Sequence, residues 1–184
     1  YKMVSIICSI NTIRMASMWG ICDWGHVDQQ GLDSLGASTG GDRPDALGTI
    51  FSGSCVVDKD NTAGFGAGAI VAFYTSASDR QVQSMAYSLD NGRTFRKYDR
   101  NPILTSTQRD FRDPKVFWHK ESNKWIMVLA VGQEMQLYSS PNLKDWTYES
   151  SFGEGQGAHA GVWECRRDRA SGEGYGIEEV GLDL

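Results

Sequence analysis

The sequence is poor in proline and histidine, with four and three residues respectively, and it has no basic cluster and no long hydrophobic run. Acidic residues outnumber basic ones by 23 to 18, so the formal net charge is −5. Nucleic-acid binding needs a positively charged surface, and we therefore expect no nucleic-acid partner. The apolar stretch from Met3 to Ile13 is too short for a membrane span and contains Ser and Asn, so we expect no membrane association.

Cysteine and histidine are also too scattered to predict a metal site. The chain has no C-x-x-C pair, no zinc spacing and no H-E-x-x-H segment. We expect free, mostly buried thiols rather than a disulfide framework at the four cysteines, which are Cys8, Cys22, Cys55 and Cys165. Any export signal would lie outside the chain, so the cellular compartment stays open, as does the oligomeric state.

From Phe51 onward, short apolar runs alternate with turn residues, and helical periodicity is almost absent. Two runs, 70–74 and 125–129, are apolar at every position, as expected of strands that are covered on both faces. The pattern predicts an all-β fold with strands at Ser54–Val57, Ala69–Ser76, Gln83–Ser88, Lys115–His119, Lys124–Val131 and Met135–Ser139.

The middle of the chain contains an internal repeat. Tyr87-Ser88 and Tyr138-Ser139 are each followed by a polar turn, and an aromatic residue, Phe95 or Trp146, stands eight residues after the Tyr in both copies. The copies lie 51 residues apart, and each follows a predicted buried strand. Several strands in a unit of this length are typical of a β-propeller blade. The alternative is two unrelated hairpins with similar turns.

Three short motifs each open the first strand of a predicted blade: Phe51-Ser52-Gly53-Ser54, Arg112-Asp113-Pro114 and Trp163-Glu164-Cys165. The first strand of a propeller blade borders the central funnel, so the motifs would converge on one cavity. Two isolated carboxylates, Asp113 and Glu164, suit acid/base chemistry on a sugar. Taken singly, the first could equally lie in a surface turn and the second at a solvated strand end.

In this order, the three motifs resemble glycoside hydrolase family 32, the invertases, levanases and inulinases that cleave fructosyl bonds. The resemblance runs from about Asp45 to Cys165 and includes segment 139–146 as a typical blade hairpin. It implies a five-bladed β-propeller, of which the chain would cover part of blade one, blades two and three and the start of blade four. It also implies hydrolysis with retention of configuration, a fructose-containing oligo- or polysaccharide as partner, and no cofactor.

The resemblance assigns roles to the polar motif residues. Asp113 would stabilise the transition state through the fructosyl hydroxyls, and Glu164 would be the general acid/base. The apolar neighbours of Glu164 would raise its pKa and keep it protonated for attack on the leaving group. Arg112 would hold Asp113 or a sugar hydroxyl by directed hydrogen bonds.

Three further residues are matched to the substrate pocket of the family. Phe51 would shape the fructose subsite by packing, and Ser52 would contribute a hydroxyl contact. Trp19 stands in a Trp-Gly-x-x-x-Trp-Gly-His segment and matches an aromatic residue that lines the same pocket. Its alternative role is that of a core tryptophan in blade one.

The chain also departs from the family pattern. The family nucleophile is the Asp of an Asn-Asp-Pro-Asn motif, and this chain has no such motif, so we expect the isolated chain to be inactive. A family Gln-Tyr-Asn-Pro segment is replaced by Ile6-Ile7-Cys8-Ser9, and the Pro-Asp after Glu-Cys is replaced by Arg166-Arg167. We therefore expect a gene fragment, with a partial propeller at 1–165 and a disordered, non-homologous tail at 166–184.

Two other functions stay open. Segment 88–95 fits the S-x-D-x-G-x-T-aromatic pattern of the Asp box, which also occurs in sialidases. A sialidase needs an arginine triad and a Tyr nucleophile, and only Arg112 is obviously placed for that. The other alternative is an inactive sugar-binding module that keeps Trp19, Phe51 and Arg112 for recognition. The choice between sucrose, levan and inulin, and between endo and exo action, is not readable from the sequence.

Overall fold

The computed structural model describes the backbone of residues 4–7, 12–18 and 21–26 and the full structure of residues 45–153. All the regular elements in these ranges are β-strands, which confirms the all-β prediction. No helix in the described part of the chain is long and apolar enough to cross a membrane.

The described strands form three antiparallel sheets, and in each sheet the strands lie in the order in which they occur along the chain. The first sheet contains β1 (Val4–Ile7), β2 (Thr12–Met18) and β3 (Ile21–His26). The second contains β4 (Thr49–Asp58), β5 (Ala69–Ala77), β6 (Gln81–Ser88) and β7 (Arg96–Lys97). The third contains β8 (Phe111–His119), β9 (Lys124–Val131), β10 (Glu134–Ser140) and β11 (Thr147–Phe152).

The second and third sheets repeat the same four-stranded meander, as the internal repeat predicted. In both copies the Tyr-Ser pair lies at or next to the end of the third strand, and a hairpin of polar residues leads to the fourth strand. The six predicted strands are all present. The first sheet, β7 and β11 were not predicted, because their apolar patterns are short or weak.

The first strands of the two repeated sheets begin earlier than predicted, because each contains a β-bulge. Phe51 and Ser52 on β4 together oppose one residue of β5, and Asp113 and Pro114 on β8 together oppose one residue of β9. A bulge adds a residue to one strand and interrupts the alternation of side chains. The apolar pattern at these positions therefore does not look like a strand, although both segments belong to the sheets.

Gly53 follows the bulge of β4 and allows two backbones to approach closely. A Cβ atom at this position would lie 1.8 Å from the carbonyl oxygen of Phe73 on β5. Backbone atoms of a buried central strand cannot move aside at low cost, so a side chain is excluded here. This steric requirement accounts for the glycine in the Phe-Ser-Gly-Ser motif.

The largest core lies between the second and third sheets. It joins Phe73 and Met85 of the second sheet to Phe111, Met127 and Leu129 of the third, and all five side chains are fully buried. Smaller buried clusters cover the other face of each sheet. The central strands β5 and β9 are therefore buried on both faces, which confirms the prediction made from their uninterrupted apolar runs.

The hairpin after β6 is held by its own polar side chains. The hydroxyl of Ser88 donates to Asp90 at 2.7 Å and accepts from the backbone N–H of Gly92 at 2.8 Å. The Asp90 carboxylate also accepts from the hydroxyl of Thr94 at 2.6 Å and from the N–H of the same residue at 2.9 Å. The hydrogen bonds from the Thr94 hydroxyl, from the Thr94 N–H and from the Ser88 hydroxyl together hold the pKa of Asp90 well below its usual value.

We expect Asp90→Ala to lower the urea midpoint of unfolding at pH 7, because the hairpin loses its shared acceptor. The folded pKa lies below the ordinary carboxyl value of 3.8, so the stabilisation is present above that value and is lost as the pH falls through the folded pKa. The difference between variant and wild type should therefore shrink below about pH 4 in urea titrations followed by tryptophan fluorescence. Asp99→Ala, at an exposed residue of the following connection, is the control, and an equal effect there would contradict the assignment.

We expect Gly53→Ala to lower the free energy of unfolding by about 3 kcal/mol, at the upper end of overpacking effects, because the new methyl group meets a backbone oxygen. Gly68→Ala is the control, since Gly68 has φ +77° but no atom near its added Cβ. In that variant the free energy of unfolding should fall only by the cost of a left-handed backbone with a Cβ atom, about 1 kcal/mol. Equal losses in chemical denaturation would show that steric exclusion at Gly53 is unimportant.

Candidate functional site

The bulge of β8 fixes the backbone of the Arg-Asp-Pro motif. Asp113 has a left-handed backbone conformation with φ 59°, which is unusual for a residue with a side chain. Such conformations persist only where surrounding contacts hold them, and they are enriched at functional sites. Asp113 and Arg112 are half-buried, whereas the next residue, Pro114, is buried. The motif therefore offers partly accessible polar groups on a fixed backbone.

The open edge of β8 is bonded to side chains of the second sheet rather than to another strand. The N–H of Asp113 donates to the hydroxyl of Thr75 at 3.1 Å, and the N–H of Phe111 donates to Gln81 Oε1 at 2.9 Å. Gln83 Nε2 in turn donates to the carbonyl oxygen of Phe111 at 2.7 Å. These bonds attach the start of β8 to β5 and β6.

The same contacts bring two of the three motifs together. Thr75 is the residue of β5 that lies opposite the bulge formed by Phe51 and Ser52. Because its hydroxyl also accepts from Asp113, the two bulges lie on either side of one side chain. Phe51 and Ser52 are half-buried, as are the polar residues of the β8 motif. The structure thus places Phe51, Ser52, Arg112 and Asp113 in one region at the start of β4 and β8.

A second contact between these two strands lies further along them. The hydroxyl of Ser54 on β4 accepts from the N–H of Val116 on β8 at 3.0 Å, and both residues are buried. Ser54 is the last residue of the Phe-Ser-Gly-Ser motif. Its role in the structure is therefore to join the two motif-bearing strands.

Arg112 forms an ion pair next to this region. Its Nη1 atom lies 2.7 Å from Asp110 Oδ1, and the arginine side chain is 19% exposed. From the sequence, Arg112 was expected to hold either Asp113 or a sugar hydroxyl. Among the described residues, the ion-pair partner of the guanidinium is Asp110, and the contact with a sugar hydroxyl stays a prediction.

Three residues that bond to the start of β8 were not predicted from the sequence, namely Thr75, Gln81 and Gln83. The available signal was a polar residue in a mostly apolar strand, and it applies to Thr75 on β5 but not to Gln83, because half of the residues of β6 are polar. Both side chains are fully buried. Buried polar side chains need hydrogen-bond partners, and here the partners include the carbonyl of Phe111 and the N–H of Asp113 at the start of β8. Two other predicted site residues, Trp19 and Glu164, lie outside the described residues.

The described residues contain no group of three or more His, Cys, Asp or Glu side chains that could hold a metal ion. Cys55 is buried, and the other three cysteines lie outside the residues whose side chains are described. The polar groups available at the starts of β4 and β8 are a carboxylate, a guanidinium and a hydroxyl beside an aromatic ring. Such groups bind and polarise hydroxyl-rich molecules through directed hydrogen bonds.

Comparison with known proteins identifies relatives that share this region. The family model for the N-terminal domain of glycosyl hydrolases family 32 matches residues 12–167. A levanase of Bacillus subtilis (strain 168) is 51% identical over 152 residues, which cover 80% of this chain and 22% of the levanase. An extracellular exo-inulinase of Meyerozyma guilliermondii is 44% identical over 149 residues, which cover 74% of this chain and 29% of the inulinase.

Solved structures give the same result. A β-fructofuranosidase of Schwanniomyces occidentalis, complexed with fructosyl-erythritol, matches with a TM-score of 0.74 at 36% sequence identity. The match covers 89% of this chain and 36% of that enzyme, so the chain spans about a third of its length. Because the family model matches most of the chain, including the strands β4 and β8 that carry the motifs, the chain belongs to glycoside hydrolase family 32.

Proposed function

We propose that the chain supplies two of the three catalytic carboxylates, Asp113 and Glu164, of a retaining glycosidase that cleaves β-fructofuranosidic bonds in sucrose or fructans. The observation that carries this proposal is the pairing of two bulges around Thr75, which holds Asp113 beside Phe51 and Ser52. Membership of family 32 supports the reaction class. A carboxylate and a hydroxyl can hydrogen-bond sugar hydroxyls, and an aromatic side chain beside them can pack against the ring.

The proposed roles divide between the two carboxylates. Asp113 accepts hydrogen bonds from the fructosyl hydroxyls, and these bonds strengthen as the ring becomes cationic in the transition state. Glu164 gives a proton to the leaving oxygen and later takes one from water. Phe51 and Ser52 shape the subsite, and Arg112, which Asp110 orients, contributes a guanidinium to a substrate hydroxyl.

We also propose that the second and third sheets are consecutive blades of a five-bladed propeller. Their identical strand order and the bulge in each first strand support this arrangement. In the proposed domain organisation, residues 1–165 form a partial propeller that extends from blade one to the start of blade four. Residues 166–184 form a separate tail. The described part of the chain contains both complete four-stranded units.

The proposed substrate class rests on the relatives. They include a levanase, an exo-inulinase and an invertase, and a related fructofuranosidase was solved with a fructosyl ligand. The sialidase alternative depended on segment 88–95, and those side chains bond to one another within their own hairpin. The alternative of an inactive sugar-binding module has the same subsite residues, so activity measurements separate it from the enzyme.

We expect Asp113→Asn, in the product of the complete gene, to lower kcat for fructose release from sucrose, levan or inulin by about 10²-fold or more, because a transition-state acceptor is lost. Glu164→Gln should lower it by about 10²- to 10⁴-fold, since the side chain can no longer transfer a proton. Released fructose is measured chromatographically over time.

Asp60→Asn is the matched control for these variants. Asp60 is an exposed carboxylate in the turn between β4 and β5, at the end of the sheet opposite the bulges. Its neutralisation should leave fructose release unchanged. Absence of fructose release by the unmodified gene product, together with saturable binding of fructans, would favour the sugar-binding module over the enzyme.

The 184-residue polypeptide by itself should release no fructose from these substrates. Hydrolysis with retention of configuration requires a carboxylate that forms the covalent fructosyl intermediate. The chain has no Asn-Asp-Pro-Asn motif to supply this carboxylate. Acid/base assistance alone contributes about 10²- to 10⁴-fold, whereas enzymes reach at least ~10⁶-fold. Rapid fructose release by the purified polypeptide would show that the nucleophile has been wrongly assigned.

A further inference from the structure

The position of Asp113 depends on contacts made by its backbone. Its left-handed conformation, φ 59°, is unfavourable for a residue with a Cβ atom, and the bulge interrupts the ladder that would otherwise restrain it. Its N–H donates to the Thr75 hydroxyl on the neighbouring sheet, at 3.1 Å. A loss of this bond would remove one of the contacts that hold this strained backbone conformation.

Three linked hydrogen bonds lead from the Asp113 N–H through Thr75 and Gln83 to the Phe111 carbonyl. The donor and acceptor of each bond follow from the chemistry of the groups. The Phe111 carbonyl can only accept, so the atom of Gln83 that lies 2.7 Å from it is the amide nitrogen. The Gln83 oxygen therefore faces Thr75, at 3.0 Å, and since this oxygen can only accept, the Thr75 hydroxyl donates. The lone pairs of that hydroxyl are then left to accept from the N–H of Asp113.

Gln83 itself has no freedom to turn away. Its side chain is fully buried, as is that of Thr75, and the two residues lie directly opposite each other on β5 and β6. The N–H of Gln83 donates to Leu104 at 2.8 Å, and its carbonyl oxygen accepts from Ile103 at 2.9 Å. Both the backbone and the side chain of Gln83 are thus held by hydrogen bonds, and its amide forms a fixed base for the bonds that lead to Asp113.

We propose that Thr75 and Gln83 are positioning residues: they form a chain of three oriented hydrogen bonds that holds the backbone of Asp113 and so aims its carboxylate at the substrate. The catalytic consequence of this positioning rests on the proposed function, but the hydrogen bonds themselves can be measured without substrate. Supporting contacts of this kind behind a functional group commonly decide how accurately it is placed.

The structure supplies a matched control on the same two strands. Ser76 and Ser84 are buried and share a hydrogen bond of 2.9 Å between their hydroxyls. Both pairs link β5 to β6, but adjacent residues of a strand point to opposite faces, so Ser76 faces away from Asp113. Ser76→Ala thus removes a buried hydroxyl from β5 without touching the chain of bonds.

The first test uses NMR on the 184-residue polypeptide. In the unmodified protein, the Asp113 amide should exchange as slowly as that of Val116, which also donates to a buried hydroxyl. Thr75→Val should accelerate exchange at Asp113 by about 10-fold or more and shift its amide resonance. Thr75→Ser, which keeps the hydroxyl, should restore both, and Ser76→Ala should change neither. Fast exchange of Asp113 in the unmodified protein would overturn the proposal even if Thr75→Val fails to fold.

The second test measures kinetics in the complete gene product. Thr75→Val should lower kcat for fructose release by about 10- to 100-fold with a smaller change in KM, because Asp113 acts most strongly in the transition state. Thr75→Ser should recover most of kcat, and Ser76→Ala should match the unmodified enzyme. A normal kcat in folded Thr75→Val would refute the positioning role. If the unmodified product of the complete gene releases no fructose, the proposed function fails instead, and amide exchange alone then decides whether these three hydrogen bonds exist.

Discussion

The open edge of β8 is the constraint on which the candidate site depends. β8 is the terminal strand of its sheet, and a terminal strand carries backbone groups that no neighbouring strand satisfies. Here polar side chains of the second sheet take the place of a neighbouring strand. Gln81 accepts from the N–H of Phe111, and Gln83 donates to the carbonyl of the same residue. The hydroxyls of Thr75 and Ser54 accept from the N–H groups of Asp113 and Val116, respectively. The apolar core beneath them brings the two sheets within reach of these bonds.

This arrangement explains why the motif residues are confined to strand starts. A bulge changes the direction of a side chain relative to the regular alternation of a strand. Two bulges at corresponding positions of β4 and β8 do this for Phe51, Ser52 and Asp113. Gly53 is needed where the bulged strand passes the carbonyl of Phe73. The polar chemistry proposed for the site and the irregular backbone therefore have the same structural origin.

The sequence predicted the buried strands well because their pattern reflects their environment directly. The strand predicted at Lys124–Val131 matches β9 at both ends, since its uninterrupted apolar run ends where burial ends. The starts of β4 and β8 were predicted too late, because the bulges place polar or small residues inside a strand. β11 was missed because all six of its residues are exposed, so that burial leaves no pattern in its sequence.

The candidate site was predictable only in part, for a related reason. Phe51, Ser52, Arg112 and Asp113 were identified through a resemblance between motifs, and repeated strand order predicted that they would meet. Thr75 and Gln83 carry no motif, and a polar residue in a strand usually indicates a solvent-exposed face.

The burial of Thr75 and Gln83 becomes apparent only when the two sheets are packed together, because their partners lie 38 and 28 residues away along the chain. Since buried polar groups require partners, a polar residue in an otherwise apolar strand marks a contact between sheets as readily as a surface. In this fold, one such contact ends at the backbone of Asp113, so the Thr75 hydroxyl connects the packing of the core to the placement of the proposed transition-state carboxylate.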